Sequence, residues 1–118
     1  DMSVNFNPYE NYRVREFENS GEIRNYSNHV VVDDRRERVE LLIAQVSSDK
    51  YALGYDIYFA DGRRASRLPS LEYGYFASER DAKLYFLGYI KQYSMRFLPS
   101  TIEAADELIR KIIQPPLF

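Results

Sequence analysis

Tyr51-Ala52-Leu53-Gly54-Tyr55-Asp56-Ile57-Tyr58-Phe59-Ala60, followed by Asp61-Gly62, is the stretch on which the fold class turns. Tyr51, Leu53, Tyr55, Ile57 and Phe59 recur with period two, so they share one face of an extended strand. Ala52, Gly54, Asp56, Tyr58 and Ala60 take the other face. Asp61-Gly62 is a two-residue hairpin signal, because Gly accepts positive φ without steric cost. A return strand over Arg63–Leu68 then ends at Pro69. If the turn pairs Ala60 with Arg63, Tyr58 opposes Ala65 and Asp56 opposes Arg67, an opposite-charge pair on one face.

Upstream, Val39–Val46 is short and β-branched, and Ser47-Ser48-Asp49-Lys50 joins it to Tyr51. This favours a strand. A helix stays open as the alternative, since Val39, Leu42, Ile43 and Val46 also fit helical spacing and Asp34 with Glu37 resembles a capping box. His29-Val30-Val31-Val32 is a further β-branched run, and Asp33–Arg38 a charged linker. Residues 1–29 are polar and read as a partly ordered N-terminal arm, with a short edge strand around Tyr12 and Val14.

Downstream, Ser78 is a helix N-cap with Asp81 three residues on. The periodicity predicts a helix from Glu79 to about Phe97, with Ala82, Phe86, Tyr89, Ile90, Tyr93 and Phe97 on one side. Leu84, Leu87 and Met95 lie off that stripe, which predicts cover on more than one face. Pro99 ends this helix. Ser100 and Glu103 suggest a second capping box, opening a helix from Thr101 to about Ile113, and Pro115-Pro116 stops it. Tyr55, Ile57, Phe86, Ile90 and Ile109 are the expected core. The fold expected is α+β: a three-stranded antiparallel sheet followed by two C-terminal helices packed on one face, with an N-terminal arm. Residues 30–113 form the domain and 114–118 a tail.

Composition narrows the function. The chain has 118 residues, the size of one domain, and no Cys, which removes disulfides, thiolate zinc sites and cysteine nucleophiles. A cytoplasmic setting follows as the expectation. No apolar run reaches the roughly 18 residues that a spanning helix needs. Net charge is −2, which argues against a general nucleic-acid binder. His29 is the one imidazole, the five glycines are isolated, and Glu103, Asp106 and Glu107 are matched by Arg110 and Lys111. No catalytic set, metal site or cofactor loop emerges, so a non-enzymatic role is expected. The 11 Tyr and 7 Phe suggest an interaction surface, and with the multi-sided helix a homodimer.

Two residue groups carry binding hypotheses. Arg63, Arg64 and Arg67 cluster near Tyr58, a pattern able to stack a base and meet phosphate. The order strand-strand-strand-helix is loosely similar to the double-stranded-RNA-binding domain. That family opens its last helix with lysines, where this chain has Ser78-Glu79-Arg80-Asp81-Ala82-Lys83. The second group is Gln114-Pro115-Pro116-Leu117-Phe118, which resembles the peptide by which bacterial replication and repair proteins bind the DNA sliding clamp. The resemblance implies that Leu117 and Phe118 fill an apolar pocket while Gln114 sets direction, with Pro115 departing from the preferred Leu. Gly54-Tyr55, Leu68-Pro69-Ser70 and the helix opening at Ser78 also resemble small uncharacterised proteins of bacterial plasmids and conjugative elements. The expectation is an accessory or adaptor protein linked to DNA replication or mobile-element maintenance, with a nucleic-acid-binding module as the alternative.

Overall fold

The computed structural model describes residues 6–19 and 21–114. Six antiparallel strands form one sheet: β1 (Arg13–Val14), β2 (Ser27–Asp33), β3 (Arg38–Ser47), β4 (Lys50–Tyr58), β5 (Arg64–Arg67) and β6 (Tyr75–Phe76). The order is β1-β6-β4-β3-β2, with β5 also on β4. Helices α1 (Glu79–Gln92) and α2 (Pro99–Ile113) follow. The α+β class holds, and three strands understate the sheet. Strand β1 lies at the sheet edge, where the sequence predicts the short strand around Tyr12 and Val14. The other two added strands escape a periodicity argument: β6 is two residues long and has no period to read. Strand β2 holds a bulge between Val30 and Val32, which breaks its alternation.

The stretch at residues 39–46 is a strand, paired with β4 along nearly all of its length and with β2 as far as Ile43. The apparent capping box before it is a hairpin turn. Asp34 Oδ1 accepts the N–H groups of Arg36 (2.8 Å) and Glu37 (2.9 Å), and the Asp34 N–H reaches the Glu37 carbonyl. An acceptor followed by free N–H groups makes the same local bonds whether a helix or a hairpin comes next. Those two N–H groups, first Glu37 and then Arg36, hold the Asp34 carboxyl below its ordinary pKa.

The β4–β5 register differs by one residue from the expectation. The Phe59 N–H bonds to the Arg63 carbonyl and the Gly62 N–H to the Phe59 carbonyl, so the loop is Ala60-Asp61-Gly62, with Gly62 at φ 90°. This is the three-residue hairpin with glycine at the left-handed position. Tyr58 therefore opposes Arg64, Asp56 opposes Ser66, and Tyr55 opposes Arg67. A one-residue slip reverses every side chain. Arg67 moves to the helix-covered face, and Arg64 becomes the partner of Asp56 (Nε–Oδ1 3.0 Å, Nη2–Oδ2 3.2 Å).

Ser78 caps α1, its Oγ accepting the Asp81 N–H at 3.0 Å. The helix ends at Gln92, short of Phe97, and a 3-10 turn at Ser94–Arg96 follows, leaving Met95 98% exposed. Two residues thought to end or cap a helix act otherwise. Pro99 stands in the first turn of α2, where a missing N–H costs nothing. The expected cap by Ser100 is absent. Buried Glu37 takes that role from the β2–β3 turn: its Oε1 accepts the Leu98 N–H (3.0 Å) and the Thr101 hydroxyl (2.6 Å).

One sheet face meets the helices. Val39, Leu41, Ile43, Leu53 and Ile57 pack with Leu84, Phe86, Leu87, Ile90 and Ile109. Of the expected core, only Tyr55 remains partly exposed. The opposite face is crossed by the chain itself. After β5 the backbone turns over Gly54, where a Cβ would lie 2.6 Å from Pro69 N and 2.8 Å from the Leu68 carbonyl carbon. Leu71 then packs on Ala44 and Ala52, together with Ile23 and Tyr26. The Ile23 N–H bonds to the Pro69 carbonyl and the Glu18 N–H to the Leu71 carbonyl, so this part of the arm runs along the same face.

Candidate functional site: an arginine and aromatic pocket

Strand β4 carries two different neighbours on one edge. β5 pairs with residues 55–58, and β6 with Tyr51. Residues 52–54 have neither partner there. A cavity of about 170 Å³ sits where β5 and β6 diverge. Its lining comes from several elements: Leu53 and Tyr55 on β4, Arg67 at the end of β5, Phe76 on β6 and Arg13 on β1. Ser70, Tyr73 and Gly74 come from the crossing loop, and Tyr85, Phe86 and Tyr89 from α1.

Local sequence explains how each wall is set. The period-two pattern of β4 aims Leu53 and Tyr55 at α1, and the 3.6-residue period of α1 returns Tyr85 and Tyr89. Tyr55 stacks on Phe86, with centroids 6.1 Å apart, and Phe76 meets Tyr85 at 5.1 Å. Arg13 arrives through a latch further upstream. Asn7 Nδ2 donates to the Tyr85 carbonyl at 2.8 Å, and its side chain occupies the space that any Cβ at Gly88 would need. That latch docks residues 7–12 on α1, and β1 follows directly.

The electrostatics are one-sided. Arg67 lies over the rings of Tyr73 (3.8 Å to the centroid) and Tyr55 (5.1 Å), and Arg13 over Tyr85 (5.6 Å). Each guanidinium keeps its Nε buried with no hydrogen-bond partner. Among the described residues Arg67 has no ion pair, and the carboxylate facing Arg13 is Glu10 at 3.8 Å. Glu10 makes its shorter contact, 3.0 Å, to Arg15. Among the described residues no carboxylate lines the cavity. Burial pushes the Tyr85 and Tyr89 hydroxyls up, so both stay protonated at neutral pH and can donate.

The arginine group anticipated from sequence is divided. Arg63 bonds Asp61 (Nε–Oδ2 2.7 Å) at the hairpin tip, and Arg64 pairs with Asp56 while lying over Tyr58 at 4.8 Å. Arg67 faces the other way, into the pocket. Arg13 had no signal of its own, because its place depends on the latch at Gly88. Of the tail, Gln114 leaves α2 extended and exposed, its N–H bonded to the Arg110 carbonyl. Leu117 and Phe118 lie outside the described residues. Among the described residues no group of three or more His, Asp or Glu could hold a metal, and no helix is long and apolar enough to cross a membrane. Comparison with known proteins returns no match to a family model, a curated protein or a solved structure.

Proposed function

We propose that the chain is a non-enzymatic binding or adaptor module of the cytoplasm and that the arginine–aromatic pocket is its ligand site. The observation that carries this reading is the pair of buried, unpartnered Nε donors on Arg13 and Arg67, both on one cavity without an acidic wall. Unpaired buried donors are costly, and a ligand that draws the guanidiniums toward the cavity and satisfies these donors recovers that cost. The lining supplies cations, hydroxyls and rings, the mixture of apolar surface and a few polar groups typical of binding pockets. A fragment screen by NMR on the intact chain tests the reading. Binders should perturb amides around Gly74, Phe76 and Tyr85. A screen whose binders all perturb other surfaces would overturn it.

The adaptor part of the proposal rests on the tail, Gln114, Leu117 and Phe118, as a tether to the DNA sliding clamp in replication or mobile-element maintenance. Its support is that Gln114 is exposed and its backbone extended where α2 ends. Deleting residues 114–118 should leave the melting temperature unchanged and abolish clamp binding. The Phe118→Ala exchange should remove about 2 kcal/mol of that affinity. Clear destabilisation on deletion would instead assign the tail to the core. The alternative, a nucleic-acid module using Arg63, Arg64, Arg67 and Tyr58, has less support. Two of its arginines are paired with aspartates and the third faces the pocket. A homodimer is proposed on the exposed Tyr93 and Met95 beside the end of α1.

A further inference from the structure

We infer that the pocket selects an organic anion, a carboxylate or phosphate carried on one small aromatic ring. This rests on the reading of the pocket as the ligand site and adds the chemistry of what enters it. Charge is the first argument. Among the described residues two guanidiniums line the cavity and no carboxylate does, although the chain as a whole is net negative. Arg67 is part-buried and without an ion pair among the described residues, held by two tyrosine rings alone. Ring faces offset part of the cost of a desolvated cation, and an anion offsets it more completely.

Geometry is the second argument. A guanidinium presents Nε and one Nη side by side, spaced to meet two oxygens of a planar carboxylate or of a phosphate. In both Arg13 and Arg67 the Nε is buried and without a hydrogen-bond partner among the described residues, so that half of the fork meets an anion once the guanidinium turns toward the cavity. The Arg13 Nη groups already face Glu10 (3.8 Å) and the Tyr73 carbonyl (3.5 Å), which leaves Arg67 the freer of the two. Size is the third. The cavity of about 170 Å³ slightly exceeds the roughly 150 Å³ known to admit benzene. One ring with its acidic group matches the volume the cavity encloses, while a base, sugar and phosphate together would project from its open side. Tyr55, Phe76 and Phe86 offer faces and edges against which such a ring packs at 4.5–7 Å between centroids, roughly the usual range. The neutral hydroxyls of Tyr85 and Tyr89 add donors without adding repulsion.

The test titrates the intact, isotope-labelled chain with benzoate, phenyl phosphate and benzyl alcohol, the last an uncharged counterpart of similar size. At least one anion should bind about tenfold more tightly than benzyl alcohol, because hydrogen bonds to charged groups carry the difference. The order of benzoate and phenyl phosphate identifies which acid the site prefers. Arg67→Met should remove roughly that same tenfold preference and leave benzyl alcohol within about twofold of its original affinity. Arg67→Lys, which keeps charge and stem but loses the fork, should give an intermediate loss with the fold intact. Benzyl alcohol binding as tightly as both anions, or a preference unchanged in Arg67→Met and Arg67→Lys, would overturn the anion inference and leave the pocket as a ligand site. Failure of all three probes to perturb Gly74, Phe76 or Tyr85 would overturn both.

Discussion

On one face of the β3–β4 pair the helices meet Val39, Leu41, Ile43, Leu53 and Ile57. On the other, the chain crosses at Ala44, Ala52 and Gly54, where there is almost no side chain to meet. The first face is held by volume: large aliphatic groups interlock with Leu84, Phe86, Leu87 and Ile90, and the stabilisation follows the apolar area removed from water. The second is held by close backbone approach and by hydrogen bonds to the Pro69 and Leu71 carbonyls. The difference teaches why the pocket lies where it does. A loop lying this close to the sheet can bring Ser70, Tyr73 and Gly74 round the open edge of β4, while the helix on the other side supplies the aromatic wall.

The comparison can be broken at either face, beginning with the larger effect. Phe86→Ala should cost roughly 3–5 kcal/mol in denaturant melts, since it removes a buried ring from the helix-covered face and leaves a cavity. A loss below about 1 kcal/mol would mean that this face is not held by volume. Gly54→Ala should cost about 1–3 kcal/mol by the opposite route, overpacking, because its Cβ meets backbone at Arg67–Pro69 that cannot rotate away. It should also loosen the pocket mouth and weaken any pocket ligand. Wild-type stability in Gly54→Ala would show that the crossing loop stands off the sheet.

The smallest effect sharpens the border of the helix-covered face, where His29 on β2 sits between Glu79 and Lys83 of α1. Burial, then the Lys83 charge, lower the His29 pKa, and Glu79 opposes them. The folded chain therefore takes up this proton less readily than the unfolded one. The contribution is present above the unfolded value of about 6.5 and is lost as pH falls from there through the folded value. Melting temperatures at about pH 7.5 and about pH 5.5 should differ more in the wild type than in His29→Gln. Equal differences would show that His29 has the same environment in both states.

Several elements are legible in the sequence itself. The β3 and β4 strands, the Ser78 cap and the start of α1 follow from spacing within a few residues, because a pleat or a helical turn repeats over that distance. The Asp61-Gly62 turn was legible as a turn but not in its register. A two-residue and a three-residue loop both use glycine at positive φ, and only the bonds between Phe59 and Arg63 separate them. That single residue sent Arg67 to the pocket instead of to Asp56. The start of α2 shows the same limit in another form. The Ser100–Glu103 pair looked sufficient, yet the acceptor at the helix start is Glu37, brought there from the β2–β3 turn.

Local pattern alone pointed to the α+β class, the β4 strand with its following turn, and four of the five core positions expected, because alternation and the 3.6-residue stripe are properties of one segment and need no partner. The site was decided by tertiary structure. It exists because β5 and β6 leave β4 at different points, because residues 7–12 find room at Gly88 to bring Arg13 in, and because the slipped register turns Arg67 inward. None of these is a repeat within a segment. Each is a meeting of segments distant in sequence, set by which backbone can approach which, and the pocket is the space those meetings leave.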